Sequence, residues 1–269
     1  MLTLYHNDMS SCAQKVRIAL AEKDVAWKGV HLSLRKGEAR TDDYKRLNPN
    51  GVVPTLITEE GEVIIESTII LEYIDDACPG TPLRPADPAA RARMRMWSRQ
   101  LDEGIHADLA TVCNAVAFRY QHMQGRTPEE VDAYMDRIPD PARRARSKDL
   151  VANGIDSEFF APAMRNFDAL FTDMETSLGR GQWLAGDDYS LADIALVPYV
   201  TRMDHLHFSP MWRDRPQLKN WYDAMRALPA YEVGIGNWLN DEYLDLMASK
   251  GRLAWPHVEE ILIGASGHP

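Results

Sequence analysis

The sequence predicts an α/β domain over residues 1–80 followed by an all-helical domain over residues 88–269. Three observations carry this expectation. Strand and helix signals alternate through the first part of the chain. The stretch "CPGTPLRPADP" (78–88) then places prolines at positions 79, 82, 85 and 88, which marks a linker. Beyond it the sequence offers only long helical stretches and no convincing strand.

The elements follow in order. "LTLYH" (2–6) is a short apolar strand. In residues 11–23, Val16, Ala19, Leu20 and Lys23 recur at helical spacing, and Ile18 and Ala21 widen the apolar face. "AWKGVHLS" (26–33) reads as a second strand, and "TDDYKRLNP" (41–49) as a short helix stopped by Pro49. "PTLITEEGEVII" (54–65) is a hairpin turning at "EEG". "ESTIILEYIDDA" (66–77) is a periodic helix with Ile69, Ile70, Tyr73 and Ile74 on one face. The order is β-α-β-α-β-β-α. Past the linker, helices are expected over 89–123, 158–178, 189–206, 217–228 and 240–249.

Bulk properties narrow the function. The chain has 269 residues, 45% hydrophobic and 26% charged, an ordinary globular composition. A formal net charge of −10 argues against a phosphate-tracking surface, so no nucleic-acid partner is expected. No apolar run reaches the ~18 residues of a bilayer span, and no membrane partner is expected. "MLTLYHND" lacks the basic and long apolar regions of a secretion signal. Cys12, Cys78 and Cys113 are few and widely spaced, which favours a reducing compartment over disulfides or a metal site. The expected location is the cytoplasm.

Three motifs carry chemistry. "HNDMSSCAQKVRIAL" (6–20) sets Ser10, Ser11 and Cys12 at the start of a helix, where unpaired N–H groups carry partial positive charge. Those residues read either as an N-cap alone or as a site that stabilises an anion such as a thiolate. In "NPNGVVPTL" (48–56), Val53–Pro54 opens a strand. A trans edge proline is one reading. A cis bond that turns the Val53 backbone outward, to pair with a peptide, is the other. In "ESTIILEYI" (66–74), Ser67 is an N-cap beside a solvated Glu66, or the two hold the carboxylate and ammonium of an α-amino acid.

In this order and spacing, and together with "YSLADIALVP" (189–198), these motifs resemble the glutathione S-transferase superfamily over almost the full chain. The resemblance implies a thioredoxin-like N-terminal domain, an all-α C-terminal domain, and glutathione as cosubstrate without a metal. It implies that Ser10 donates a hydrogen bond to the glutathione sulfur and favours its thiolate, with Ser11 and Cys12 completing an "SSC" similar to the zeta type. Val53 and the family's cis-proline, Pro54, would pair with the cysteinyl backbone. Glu66 and Ser67 would hold the γ-glutamyl end, and Arg40 is the candidate for the glycine carboxylate. Cys12 also matches the "SxC" arrangement of reductive dehalogenases, which implies a redox role if its sulfur is exposed. Most family members are homodimers, and one is expected here. Cys78 and Cys113 read as half-buried structural residues.

The family's second substrate packs on the first C-terminal helix, here at Ala107, Thr111, Asn114, Phe118 and His122, a lining suited to an aromatic ligand with polar substituents. "YSLADIALVP" reads as a folding signal, with Ser190 and Asp193 as a capping-box variant stapled by Tyr189 and Ile194. "RRARSK" (143–148) reads as a solvated helix face, and His205 and His207 as structural or surface groups. "LRPADPAARARMRMWSRQLDE" (83–103), the polar insert 127–146 and the stretch 163–194 resemble lignin-degrading β-etherases, which displace a phenol from the carbon beside a ketone. The "SSC" start departs from that type. Three alternatives stand beside the etherase: zeta-like isomerisation, Cys12-dependent reductive thiol transfer or dehalogenation, and a non-catalytic binding module of this fold.

Overall fold

The computed structural model describes residues 1–266. Its N-terminal part is a four-stranded sheet of β1 (Leu2–His6), β2 (Trp27–His31), β3 (Thr55–Ile57) and β4 (Val63–Ile65) in the order β2-β1-β3-β4. β1 runs parallel to β2 and antiparallel to β3, and β3–β4 is the hairpin. Leu4 sits at the centre, opposite Gly29 on one side and Leu56 on the other. Helices α1 (Ser11–Glu22), α2 (Asp42–Lys45) and α3 (Ser67–Ala77) complete the expected order.

α1 departs from the expected one-sided helix. Gln14, Lys15 and Arg17 are as buried as Val16, Ile18 and Leu20. The reason lies in the rest of the chain: α1 packs against α3 and also against α10 (Leu191–His205) and α12 (Pro229–Gly234). Its polar groups are therefore answered inside the protein. Arg17 donates to the carbonyls of Asn7, Asp8 and Gly234 at 2.8–2.9 Å. Gly234 makes that approach possible, because an added Cβ there would meet the Ile18 nitrogen at 2.8 Å.

The remaining helices are α4 (Pro88–Gln100), α5 (His106–Cys113), α6 (Arg119–Met123), α7 (Pro128–Met135), α8 (Pro141–Asn153), α9 (Phe160–Leu178), α11 (Pro216–Ala227) and α13 (Asp241–Ser266). The stretch expected as one helix over 89–123 follows one helical path, but π-helical turns at Leu101–Ile105 and Asn114–Phe118 interrupt it, and it kinks at Gly104. Such turns displace side chains from regular spacing and gather at functional sites. The polar insert becomes α7 and α8, which share a small apolar cluster of Val131, Tyr134, Met135, Ile138 and Val151. α13 runs well beyond the expected 240–249.

α10 is buried along nearly its whole length and begins with the expected capping box. Ser190 N–H donates to Asp193 Oδ2 at 3.0 Å, while Oδ1 accepts from Leu184 N–H at 3.0 Å and Trp221 Nε1 at 2.8 Å. At its other end, Arg202 donates to the Met9 carbonyl and so fixes the loop leading into α1. None of the described helices is long and apolar enough to cross a membrane.

Candidate active site

Ser10 is the N-cap of α1. Its side-chain oxygen accepts from the Ala13 N–H at 3.3 Å, which leaves the hydroxyl proton for another acceptor. Ser11 is buried at the first helical position, and Cys12 is half-buried one residue further on. Four elements converge on the Cys12 sulfur. His106, at the start of α5, brings Nδ1 to 3.5 Å and Nε2 to 3.8 Å. Tyr199 of α10 lies 3.1 Å from His106 Nδ1 through its hydroxyl. Lys15, one turn along α1, donates to Ser67 of α3 at 3.3 Å and sits 4.9 Å from the Tyr199 ring centre.

The electrostatics follow from these neighbours. Burial pushes the Cys12 thiol up. The charges of His106 and Lys15, with hydrogen bonds from His106 and Ser67, outweigh it and bring the thiol down to about 6. The Cys12 charge in turn raises His106 against burial. Lys15 is 1% exposed and forms no ion pair with a carboxylate among the described residues. Burial lowers its pKa, and the charges of Cys12, Asp102 and Glu66 oppose that fall. Its amino group lies buried beneath the helix start, where those three negative groups favour its charged form.

Val53 is buried, and its bond to Pro54 is cis. Glu66 caps α3 at φ 68°, ψ 113°, a conformation that costs a non-glycine residue about 1–3 kcal/mol. Its exposed carboxylate accepts from Asn50 Nδ2 at 3.2 Å, and Ser67 is buried directly behind it. Asn50 and Glu66 are thereby joined at the start of α3, where Ser67 reaches the Cys12 sulfur. Arg40 donates to the Tyr134 carbonyl at 3.3 Å and stacks 4.8 Å from the Tyr134 ring centre, which ties the loop before α2 to α7.

The residues expected to face a second substrate divide. Ala107 is exposed, and Asn114, Phe118 and His122 are partly so. Asn114 accepts from His122 Nε2 at 3.1 Å, and the Phe118 ring meets Tyr243 at 5.7 Å. Burial, with Arg40, Arg126 and Arg35 nearby, lowers His122 to about 4, so its ring is neutral at pH 7. Thr111 is corrected: it is 2% exposed, and its hydroxyl bonds back to the Ala107 carbonyl at 2.9 Å, because it faces the packed interior. The basic run is the expected helix surface, with Arg143 exposed and Arg144, Arg146 and Lys148 partly so. Arg144 turns back to the Ile138 and Pro139 carbonyls, and Arg146 stacks on Phe159. His205 is half-buried and pushed down to about 3 by burial, with Arg202 and Arg226 adding to the shift. His207 is exposed beside Arg252 at 3.0 Å.

Lys15, His106 and Tyr199 were not among the expected site residues. His106 directly precedes Ala107 in a helix chosen for its cleft-facing positions, and Lys15 stands alone in an apolar run. Those were the available signals. Tyr199 had none, because only the packing of α10 on α1 delivers it. Among the described residues no group of His, Cys, Asp and Glu could hold a metal ion.

Comparison with known proteins extends this geometry. A model of the glutathione S-transferase N-terminal domain matches residues 9–77, and a model of the C-terminal domain matches residues 128–224. Protein LigF of Sphingobium sp. (strain NBRC 103272 / SYK-6) is 30% identical over 236 residues, covering 85% of this chain and 91% of that protein. The crystal structure of β-etherase LigF from strain SYK-6 superposes with a TM-score of 0.77 at 28% identity, over 88% of this chain and 99% of that one. A maleylacetoacetate isomerase from Methylobacterium extorquens AM1, solved with bound malonate and glutathione, gives a TM-score of 0.63 at 25% identity, over 89% and 98%. Likeness that spans both parts of the chain and most of these relatives' length makes the protein a member of the glutathione S-transferase family and a glutathione-dependent enzyme.

Proposed function

We propose that the enzyme ionises glutathione at the α1 N-terminus and directs the thiolate at an aromatic electrophile, displacing a phenol from a β-aryloxy ketone. The observation that carries the reading is the positive environment at that helix start: open helix N–H groups, buried Lys15 with no carboxylate ion pair among the described residues, and His106. The likeness to β-etherase LigF supports the choice of electrophile. Residues 1–80 would hold glutathione and residues 88–269 the electrophile. Ser10 donates its free hydroxyl proton to the glutathione sulfur and removes no proton itself. The Val53 backbone pairs with the cysteinyl unit, Glu66 and Ser67 take the γ-glutamyl end, and Arg40 takes the glycine carboxylate. Ala107, Asn114, Phe118 and His122 line the electrophile side.

In the reaction a C–S bond forms at the carbon beside the ketone as the C–O bond to the aryl group breaks, and the aryloxide leaves with the electron pair. Positioning and thiolate stabilisation supply most of the rate. Few cysteines and the family habit favour a cytoplasmic homodimer. Glutathione-dependent phenol release from a β-aryloxy ketone, with wild type beside Cys12→Ser, tests the reading. Release by both enzymes is expected. No release by wild type that still binds glutathione would overturn it.

The Cys12–His106 contact at 3.5 Å favours a second reading. An ionised Cys12 next to a glutathione thiolate would place two negative sulfurs side by side, which each disfavours. A glutathione mixed disulfide carries no such charge. Cys12 would attack its glutathionyl sulfur, form a Cys12–glutathione disulfide and release the other thiolate. A second glutathione would then release glutathione disulfide and restore Cys12. Cys12→Ser abolishes turnover on this reading alone.

A further inference from the structure

Tyr199 is 0% exposed and stands on α10, which is fixed at one end by the Ser190–Asp193 box and at the other by the bond from Arg202 to the Met9 carbonyl. His106 is the opposite case. Its ring is exposed, and it directly follows the π-helical turn Leu101–Ile105 with the kink at Gly104. Exposed side chains change rotamer freely unless a partner holds them. Tyr199 supplies that hold: its hydroxyl lies 3.1 Å from His106 Nδ1, and the two rings meet edge to face at 6.2 Å. The face of the same tyrosine ring meets Lys15, whose amino nitrogen is 4.9 Å from the ring centre. One buried side chain therefore touches both basic groups that act on the Cys12 sulfur.

The contact at Nδ1 decides which ring nitrogen serves the thiol. The sulfur lies 3.5 Å from Nδ1 and 3.8 Å from Nε2, so those distances alone leave both nitrogens open. The Tyr199 oxygen is nearer to Nδ1 than the sulfur is, and burial keeps the phenol protonated by raising its pKa well above the usual tyrosine range. A neutral imidazole then accepts the Tyr199 proton at Nδ1 and keeps its own proton on Nε2, because the bond made by one ring nitrogen sets the state of the other. In a charged imidazole, Nδ1–H donates to the Tyr199 oxygen, and Nε2–H is again the one left for sulfur. A carboxylate in place of Tyr199 would also hold the ring, but its negative charge would push the neighbouring thiol up. A hydroxyl orients the ring without that opposition. The other polar and charged groups around the contact are Lys15 of α1, Glu66 and Ser67 at the start of α3, Asp102 of the π-helical turn and Arg143 of α8.

We infer that Tyr199 is a positioning residue, which holds His106 with Nε2–H toward the Cys12 sulfur, so that the nucleophilicity of Cys12 depends on Tyr199 through His106. This rests on the thiol-transfer reading above, in which Cys12 attacks a glutathione mixed disulfide, and adds a residue that serves it.

The pH dependence of Cys12 alkylation by iodoacetamide, followed at that cysteine by mass spectrometry, tests the inference without turnover. Tyr199→Phe removes the hydroxyl and keeps the ring against Lys15. The alkylation midpoint should rise by about one pH unit. In a His106→Asn background the same substitution should add nothing, because its effect passes through the imidazole. An equal rise in both backgrounds would make the hydroxyl act on sulfur directly and overturn the inference. No rise in either would overturn it as well. Imidazole nitrogen NMR of the unsubstituted enzyme supplies a test that depends on no variant's folding, beyond assigning the His106 signal by its loss in His106→Asn. At alkaline pH, where the ring is neutral, that signal should show the proton on Nε2. A proton on Nδ1 would contradict the assignment. Turnover separates this inference from the reading it rests on: full reduction of a glutathione mixed disulfide by Cys12→Ser would reject thiol transfer and leave the alkylation and NMR results standing.

Discussion

At the start of α10, Ser190 caps the helix and Asp193 gathers donors from Ser190, Leu184 and Trp221, all inside the protein. At the start of α1, Ser10 caps the helix in the same way, but the next polar groups are a thiol, an imidazole and an amino group whose bond goes to a hydroxyl, and the sulfur is half-buried. Both helices have the same orphan N–H groups to satisfy. One gives them to the Leu83 carbonyl and the Ser190 hydroxyl, while its carboxylate gathers the donors around it, and is a folding device. The other directs its positive field at the half-buried Cys12 sulfur and the exposed His106 ring. The difference between a structural and a functional helix start therefore lies in what is left unanswered, more than in the capping serine.

Breaking the structural start should have the largest effect. Asp193→Ala leaves several buried donors without an acceptor, a loss of about 3–5 kcal/mol. A melting temperature lower by about 10 °C is expected in a thermal scan. An unchanged transition would show that α10 does not depend on this cap.

The next effects fall on the functional start. The thiolate is the nucleophilic form, so alkylation of Cys12 should accelerate as pH rises, reach half its maximum at about pH 6 and level off above neutrality. His106→Asn removes the strongest of the influences that lower Cys12, and the midpoint should move up by about one to two pH units. A midpoint that stayed put would remove His106 from the site. Lys15→Met should raise the same midpoint by about one unit. It should leave the melting temperature nearly unchanged or higher, because replacing a buried charge by a similar apolar side chain is often neutral or stabilising. A large fall in stability would make Lys15 a structural residue. Ser10→Ala should cost about 1 kcal/mol of folding stability as a lost cap.

The sequence made the element order legible because each strand and helix carries its own local signal, as in the periodic Ile70 and Ile74 of α3 or the Ser190–Asp193 spacing of α10. Ser10, Val53, Pro54, Glu66 and Ser67 were legible as candidates because each sits at an element's edge. What stayed hidden depends on contacts between distant segments. Lys15 and Arg17 look like the solvated side of α1 until α10 and α12 cover them. His106 and Cys12 are 94 residues apart, and no local pattern joins them. Thr111 was misplaced for a related reason, since the π-turns on either side of α5 shift which side chains face the cleft.

The central claim is that the α1 start holds the glutathione sulfur as a thiolate with Ser10 as donor. Ultraviolet titration of the glutathione complex tests it most directly, with Cys12→Ser as background so that the enzyme's own thiolate does not absorb. Bound glutathione should ionise well below the ~8.5 of a free thiol. Adding Ser10→Ala should move that midpoint back toward the free value. An identical thiolate fraction with and without the Ser10 hydroxyl would contradict the account.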